Sequence, residues 1–311
     1  MNRCATVTGA SGFIGSTIVE TLLKRDWRVH AIQHRRPLSP RLPSTPNLQQ
    51  FTGDLFDAAN LDRAMAGCDA VVHAVGIIFE HPSRGITFER IHVEGARAVC
   101  EAAKRNGVKR VIYLSAVGAR PDAPSRYHQT KFGAELLIRD PAFEWTILRP
   151  SLVHGPKGDF MQLEAKMVRG KAAPFLFLPY FGGGLLGLGG AGRLQPIYVQ
   201  DLAHAVVDVL DLAHGIGKTY QLGGAQIVTW PEMHRIASRA ILGRERPVVP
   251  IPAWWASLLA RVLPASVLGF NFDQVAMSRE DNVADVSPFV ADFHWQPKGF
   301  AETIAEYAKE L

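Results

Sequence analysis

Cysteine, long apolar runs and stretches of like charge are all scarce in this chain of 311 residues, and each absence excludes a class of protein. The three cysteines, Cys4, Cys68 and Cys100, are odd in number, far apart and without a C-x-x-C or histidine-partnered spacing. The sequence therefore indicates neither a disulfide framework nor a metal site. No run approaches the roughly 18 apolar residues of a membrane-spanning helix, and a strand-like run at the start leaves no room for a signal peptide. These features favour a cytoplasmic protein.

The charge balance is basic but dispersed. A formal net charge of +5 and a pI near 9.2 would suit a nucleic acid or an anionic lipid surface. Charged residues make up only 20% of the chain, however, and the two signs are interspersed without a long basic run. Because a phosphorylated small molecule uses such an excess equally well, we expect a small-molecule partner and no nucleic acid.

Short β-branched runs alternate with longer helical patterns through the first half of the chain, which is typical of a parallel sheet covered by helices on both faces. This predicts an α/β fold with a Rossmann doubly wound parallel sheet. The predicted strands are 4–9, 29–33, 48–54, 70–75, 110–116 and 145–150. The predicted helices are 13–25, 58–66, 87–106, 126–139 and 199–213.

The rhythm changes after residue 150, where glycine and proline become frequent and most of the remaining pattern is helical. We expect a dinucleotide-binding domain over 1–150 and a smaller, mostly helical substrate-side lobe over 151–311. The two are interleaved, because QPIYV (195–199) and the helix after it are expected to return to the first domain. A further strand-like run follows at 218–223.

The stretch TGASGFIG places Gly9, Gly12 and Gly15 between the first strand and the first helix. Glycines at this junction permit a tight turn and a close approach of the backbone to a pyrophosphate, whose charge is met by the free N–H groups of the helix N-terminus. The residues between them, Ser11, Phe13 and Ile14, belong to the same turn. We predict that this segment binds a dinucleotide.

The spacing G-x-x-G-x-x-G resembles the extended form of the short-chain dehydrogenase/reductase superfamily, and further landmarks follow in order along essentially the whole chain. The resemblance implies that Asp54 contacts the adenine beside its apolar neighbour Leu55. It also implies that one later segment packs on the adenosine and another lies against the nicotinamide. These two segments are, in order, Ala74, Val75 and Gly76, and Pro150 and Ser151.

Cofactor choice is expected at the end of the second strand. An acidic residue there would bond both ribose hydroxyls of NAD and repel a 2′-phosphate, whereas arginine accommodates that phosphate. The sequence has Gln33, His34, Arg35 and Arg36 instead of an acid. We therefore predict a preference for NADP(H), with NAD(H) as the alternative. If these residues bind no phosphate, they form a solvated basic loop.

Tyr127 and Lys131 are four residues apart on a predicted helix, so their side chains share one face. A nearby ammonium stabilises a phenolate and is expected to lower the pKa of the tyrosine toward the working range. The superfamily resemblance implies that Tyr127 transfers a proton, that Lys131 also bonds the nicotinamide ribose, and that Ser115 holds the substrate oxygen. All three are predicted to contact the cofactor site.

One position departs from the superfamily pattern. His92 stands where active extended members commonly carry the asparagine that supports the proton relay, so the relay either runs through His92 or is absent. Several segments, among them RPSLVHGPKGDF and FDQVAMSREDNV, resemble the atypical branch related to the nucleotide-binding accessory subunit of respiratory complex I. The resemblance to the eukaryotic members of that branch implies that NADPH is held structurally without turnover. Its bacterial members are generally described as epimerases, dehydratases or oxidoreductases.

The substrate side is apolar. Residues 160–200 are dominated by Phe, Leu and Gly, and the glycine-rich run 182–192 reads as a lid or as a passive linker. The apolar segment 250–270 caps a pocket, forms a plain core helix, or contacts a protein complex or the inner face of a membrane. We therefore expect a hydride-transfer oxidoreductase acting on an apolar carbonyl or hydroxyl compound. The alternatives are a non-catalytic NADPH-holding protein of a membrane or respiratory complex and a nucleotide-sugar epimerase or dehydratase.

Overall fold

The computed structural model describes residues 3–40, 42–263, 270 and 272–311, which form two compact units. The first unit comprises 1–150, 199–221 and 286–295, and the second comprises 151–198, 222–285 and 296–311. No helix among the described residues is long and apolar enough to cross a membrane.

A seven-stranded sheet forms the centre of the first unit. Its strands are β1 (Cys4–Thr8), β2 (Arg28–Gln33), β3 (Leu48–Thr52), β4 (Ala70–His73), β5 (Arg110–Leu114), β6 (Glu144–Pro150) and, at one edge, β11 (Lys218–Leu222). The order across the sheet is β11-β6-β5-β4-β1-β2-β3, and β1 to β6 pair in parallel. The predicted Rossmann fold is confirmed. The strand order reverses between β1 and β4, and folds of this kind bind their ligands at such a switch point.

Helices cover this sheet in two groups. The helix α1 (Phe13–Lys24) packs on α6 (Val199–Asp211), while α2 (Ala58–Met65), α3 (Gly95–Arg105) and α4 (Arg126–Ile138) pack together. The short α10 (Ser287–Phe293) completes the unit. Strands buried on both faces need near-continuous apolar side chains, and β1, β4 and β5 are buried at every position.

The predicted helix over 87–106 is not regular throughout. A π-helical turn occupies Glu89–Glu94, and α3 begins only at Gly95. The turn contains His92, whose ring accepts a hydrogen bond from the backbone N–H of Ile77 (3.2 Å) and contacts the Thr130 hydroxyl (2.9 Å). These two contacts reach segments distant in sequence, so helical periodicity alone does not reveal the irregular turn.

Two later segments of the chain, 199–221 and 286–295, complete the first unit. Arg110 on β5 donates to the Thr146 hydroxyl (2.8 Å) and to the carbonyl oxygen of Val209 on α6. Trp295 donates to the Asp208 carboxylate (2.7 Å). Residues 199–221 and 286–295 therefore belong to the packing of the nucleotide fold.

The second unit contains three short strand pairs and five helices among its described residues. The pairs are β7 (Val153–His154) with β10 (Ile197–Tyr198), β8 (Leu178–Gly182) with β13 (Val248–Pro252), and β9 (Arg193–Leu194) with β12 (Val228–Thr229). The helices are α5 (Asp159–Val168), α7 (Trp230–Leu242), α8 (Ala253–Val262), α9 (Phe272–Arg279) and α11 (Phe300–Tyr307). Its main core includes Met161, Met233 and Phe300.

The prediction that the chain re-enters the first domain at QPIYV is wrong about the residue at which it does so. The QPIYV strand was expected to join the first domain, but Ile197 and Tyr198 pair with Val153 and His154 inside the second unit. The chain returns only at Val199, because the two-residue pairing of β10 with β7 uses the backbone groups of this strand.

Two apolar segments of the second unit expose large side chains. The loop after β8 folds back on itself through the bond from the Gly189 N–H to the Gly183 carbonyl (2.8 Å). In α8, Trp254 is 52% exposed and its indole N–H donates to the Leu185 carbonyl (3.1 Å). Part of the 250–270 segment, residues 264–269, lies outside the described residues.

Candidate functional site

The turn between β1 and α1 is shaped by its glycines. Gly9 has a φ of +72°, a conformation that favours glycine. A methyl group on Gly15 would lie 2.1 Å from the Gly9 carbonyl oxygen, so the start of α1 packs directly on the turn. Gly12, the residue before α1, provides no side-chain cap. The helix N-terminus can therefore present its backbone N–H groups to an anion.

A cavity of about 570 Å³ opens beside this turn, at the carboxyl ends of the strands of the first unit. Its size and its mixture of apolar walls with a few polar groups are typical of a cofactor pocket. Ten of the predicted cofactor residues line it: Gly9, Ser11, Gly12, His34, Arg35, Asp54, Leu55, Ala74, Val75 and Gly76.

The other predicted residues lie outside the lining of this cavity. Phe13, Ile14 and Gly15 form the first turn of α1, and Arg36 is exposed on the loop after β2. Pro150 ends β6, whereas Ser151 belongs to the second unit, where its hydroxyl donates to the Asn282 carbonyl oxygen (2.9 Å) and contacts the Asn282 side chain.

The cavity also has a basic lining that sequence reasoning missed. Arg84 and Arg90 come from the segment between β4 and α3, and Arg90 lies over the ring of Phe56 (4.9 Å). The His34 ring, also in the lining, lies 3.6 Å from the Asp54 carboxylate. The positive charge of Arg84 and Arg90 is evident from the sequence, but their position in the cavity depends on how the segment 78–91 folds.

Gln33 ends β2 at the position where NAD-binding Rossmann folds commonly carry an acid. Its side-chain amide donates to the Thr52 hydroxyl (2.9 Å), and its carbonyl oxygen accepts from the Leu38 N–H (2.8 Å). Gln33 therefore fixes the loop that carries His34 and Arg35, both of which line the cavity.

Lys131 connects the predicted Tyr/Lys pair to the cavity. Its ammonium donates to the Leu114 carbonyl oxygen at the end of β5 (2.9 Å), and a methyl group on Gly76 would lie 3.0 Å from Nζ. Burial lowers the pKa of Lys131 from 10.5 to about 8. Gly76 lines the cavity and Lys131 does not, so the ammonium lies against a lining residue and outside the lining itself.

Tyr127 has a different electrostatic environment from the one expected. Burial raises the pKa of Tyr127 to about 12, so its phenol is protonated at neutral pH. The shift is opposite to the one that an adjacent ammonium would cause, since burial of the phenol is its cause; the Lys131 ammonium donates to the Leu114 carbonyl. The Tyr127 ring packs edge-on against Phe88 and His92.

His92 is fully buried, and both of its ring nitrogens are engaged. Nε2 accepts from the Ile77 N–H, so Nδ1 carries the proton and donates to the Thr130 hydroxyl. Burial, with a contribution from the Lys131 charge, lowers the pKa of His92 to about 2. His92 is therefore a neutral residue that holds the cavity wall against α4.

Ser115, at the end of β5, donates its hydroxyl hydrogen to the Glu135 carboxylate (2.5 Å). Glu135 is fully buried and also accepts from Arg149 (2.7 Å) and Arg139 (2.9 Å). The Ser115 hydrogen is thus engaged within the protein, while its oxygen retains lone pairs that can accept. No sequence pattern predicts this arrangement, because Glu135 and Arg149 meet Ser115 only in the fold.

Lys131→Met is expected to raise the free energy of unfolding at pH 7 by about 2 kcal/mol. The lowered pKa costs about 3 kcal/mol, and loss of the bond to Leu114 offsets about 1 kcal/mol of the gain. A lowered lysine pKa means that the unfolded chain binds more protons between pH 8 and 10.5. Urea unfolding of the wild type should therefore show stability increasing across this window, and Lys131→Met should remove that contribution. Lys24→Met, on the exposed face of α1, is the control and should change neither quantity.

Residues 9–170 match a protein family described as NAD(P)H-binding. The mitochondrial NADH dehydrogenase (ubiquinone) 1 alpha subcomplex subunit 9 of Arabidopsis thaliana is 31% identical over 326 residues, covering 98% of this chain and 78% of that protein. Ceramide reductase of Caulobacter vibrioides is 29% identical over 253 residues, covering 79% and 73%.

A solved structure shares the fold. The Bordetella bronchiseptica enzyme WbmH in complex with NAD+ gives a TM-score of 0.75 at 21% identity, over 100% of this chain and 98% of that one. The family match covers more than half of the chain and contains the glycine turn and the Tyr127/Lys131 helix. The chain belongs to the NAD(P)H-binding family, as an atypical short-chain dehydrogenase/reductase resembling the accessory subunit of complex I.

Proposed function

We propose that this protein is an NADP(H)-dependent reductase of an apolar carbonyl compound, with Tyr127 as proton donor. The observation that carries the proposal is the position of the Lys131 ammonium at the Gly76 wall of the dinucleotide cavity, on the same helix as a protonated Tyr127. The glycine turn, the uncapped α1 and the cavity volume fit a dinucleotide.

Lys131, Tyr127 and Ser115 each have a separate role in the proposed reaction. The dinucleotide, when bound, supplies the hydride. Lys131 holds its ribose, and Tyr127 delivers a proton to the substrate oxygen, a role that suits a phenol with a pKa of about 12 in the direction of reduction. Ser115 accepts a hydrogen bond from the product alcohol, because its own hydrogen is given to Glu135.

The basic lining supports NADP(H) over NAD(H). His34 and Arg35 line the cavity at the end of β2, and Arg84 and Arg90 add positive charge. A 2′-phosphate prefers such groups, and an acid that would repel it is replaced by Gln33.

Arg35→Ala combined with Arg36→Ala is expected to weaken NADPH binding by about 10- to 100-fold and NADH binding by less than about threefold. The measurement is calorimetric titration of both nucleotides at one fixed salt concentration. Arg28→Ala, at the amino end of the same strand, removes an exposed arginine away from the cavity and should leave both affinities unchanged. Equal wild-type affinity for the two nucleotides, or unchanged NADPH affinity in the double variant, contradicts the preference.

An apolar substrate is supported by the similarity to ceramide reductase, which acts on a lipid by its name, and by the apolar composition of 160–200. The test adds long-chain ketones, aldehydes and quinones to the NADPH-loaded protein and follows NADPH fluorescence and alcohol formation. Loss of the NADPH signal together with a reduced product supports the reductase. Saturable binding of a UDP-sugar with no response to the carbonyl panel would favour the epimerase alternative instead.

A second candidate is a non-catalytic NADPH holder in a membrane or respiratory assembly. It is favoured by the 31% identity to a complex I subunit and by the exposed Trp254, Trp255 and Leu258 of α8. The same experiment separates the two candidates, because a holder retains bound NADPH through prolonged dilution and leaves it unconsumed by every compound in the panel.

A further inference from the structure

Two cysteines and a histidine that are distant in sequence meet at the amino end of the nucleotide-binding sheet. The Cys4 sulfur, on the first residue of β1, lies 2.9 Å from the Cys68 sulfur. The Cys68 sulfur in turn lies 3.3 Å from Nδ1 of His30 on β2. We propose that Cys4 and Cys68 form a reversible dithiol/disulfide pair that is oxidised by hydroperoxides. None of the three residues lines the dinucleotide cavity.

The backbone holds the two sulfurs in register. The Cys4 N–H donates to the Asp69 carboxylate (2.8 Å), and the Asp69 N–H donates to the Cys4 carbonyl oxygen (2.8 Å). The parallel pairing of Ala5 with Ala70 continues from this point. The separation of the sulfurs exceeds an S–S bond by only about 0.9 Å, so closing the bond requires a small movement of the Cys68 turn.

His30 is placed to stabilise a thiolate rather than to bind a metal. The same Nδ1 lies 2.8 Å from the Ala64 carbonyl oxygen, which can only accept, so this nitrogen carries a hydrogen and has no lone pair to offer a cation. The pKa of His30 is raised, mainly by its contact with Cys4. The hydrogen bond from the Cys68 thiol lowers the pKa of Cys4 to about 5.

The two thiols have different access to solvent. Cys4 is fully buried, whereas Cys68 is partly exposed on the turn before β4. The proton between the sulfurs rests mainly on Cys68, because the hydrogen bond to Cys4 raises the pKa of Cys68, but either sulfur can act as the donor. When Cys4 holds it, the partly exposed Cys68 is the thiolate that meets the oxidant.

The reaction is balanced by one hydroperoxide. The Cys68 thiolate attacks the terminal oxygen, the O–O bond breaks, and the alkoxide leaves as an alcohol after taking a proton, which gives a sulfenic acid on Cys68. Cys4, whose proton has gone to the alkoxide, attacks that sulfur as a thiolate; the S–S bond forms, the S–O bond breaks, and the hydroxide leaves as water after taking a proton from solvent. Two thiols lose two electrons, and the hydroperoxide gains them.

Cys100 is a matched thiol within the same unit. It is buried on α3 away from the pair, and burial raises its pKa to about 12. A thiol in this state is a poor nucleophile. The same treatment that oxidises Cys4 and Cys68 should therefore leave Cys100 as a free thiol.

The experiment treats the full chain with a few equivalents of cumene hydroperoxide, alkylates the remaining thiols under denaturing conditions, and measures intact mass and tryptic peptides. We expect free thiols to fall from three to one, a Cys4–Cys68 cross-linked peptide, and full recovery of thiols with dithiothreitol. Tm should rise by about 5 °C on oxidation, because the bond closes a long loop of the unfolded chain. Cys100→Ser should form the same cross-link, with its free thiols falling from two to none.

Two results would overturn the proposal. One is three free thiols after exposure to enough hydroperoxide to oxidise exposed methionine. The other is a stoichiometric zinc ion in the purified protein whose removal is needed before any thiol reacts, which would assign the cluster to a metal. Cys68→Ser provides the second variant, since it alters a partly exposed turn residue: it should retain its Tm in reductant and show no Tm rise with hydroperoxide.

Discussion

Tyr127→Phe is expected to lower the rate of carbonyl reduction by about 10²- to 10⁴-fold and to leave NADPH affinity within about threefold of the wild type. Under the proposed function, the phenol hydrogen is the proton that the reduced oxygen needs, while the glycine turn, Lys131 and the basic lining hold the cofactor. Removing one hydroxyl therefore separates chemistry from binding. The comparison uses single-turnover decay of NADPH fluorescence with the most active carbonyl compound of the panel.

Tyr113→Phe is the matched control for this variant. The Tyr113 hydroxyl is buried and has no hydrogen-bond partner among the described residues, so Tyr113→Phe takes away a buried, unpaired polar group and costs little. Its turnover should remain within about twofold of the wild type. If Tyr127→Phe and Tyr113→Phe turn over equally, the proton reaches the substrate from another source and Tyr127 is a cofactor contact alone.

Glu135→Ala is expected to lower the free energy of unfolding by about 3–5 kcal/mol. The Glu135 carboxylate is fully buried and compensates the charges of Arg149 and Arg139, whose side chains are 18% and 32% exposed. Removing it leaves arginine charge near the core without a counter-ion, which costs more than an exposed ion pair contributes. Chemical denaturation at pH 7 measures the loss.

Two further variants interpret that result. Glu135→Gln keeps the shape and some hydrogen bonds but removes the charge, so its loss should lie between those of the wild type and Glu135→Ala. Glu306→Ala breaks an exposed pair with Lys298 and should cost less than about 1 kcal/mol. A loss below about 1 kcal/mol for Glu135→Ala would mean that solvent already screens the two arginines.

Most of the nucleotide fold could be predicted from the sequence because its signals are local. The glycine turn needs only a strand, three spaced glycines and a helix, and α1 begins at Phe13 as expected. Strand ends agree to within about two residues, since buried parallel strands have continuous apolar runs with sharp polar boundaries.

The features that were missed depend on contacts between distant residues. Tyr127 and Lys131 share α4, but the direction of the Lys131 ammonium is decided by the Leu114 carbonyl. Cys4 and Cys68 lie 64 positions apart, and the register of β1 with β4 brings them together. A spacing rule for cysteines along one chain cannot detect a pair formed across a sheet.

The interleaved order of the first unit has a consequence for its synthesis. Its edge strand β11 and the helices α6 and α10 emerge from the ribosome up to 145 residues after Pro150, on the order of ten seconds later. Until then β6 is an unpaired sheet edge, and Arg110 lacks its acceptor on Val209. During this interval the nascent first unit exposes a strand edge that can pair with other chains, and a bound chaperone would protect it.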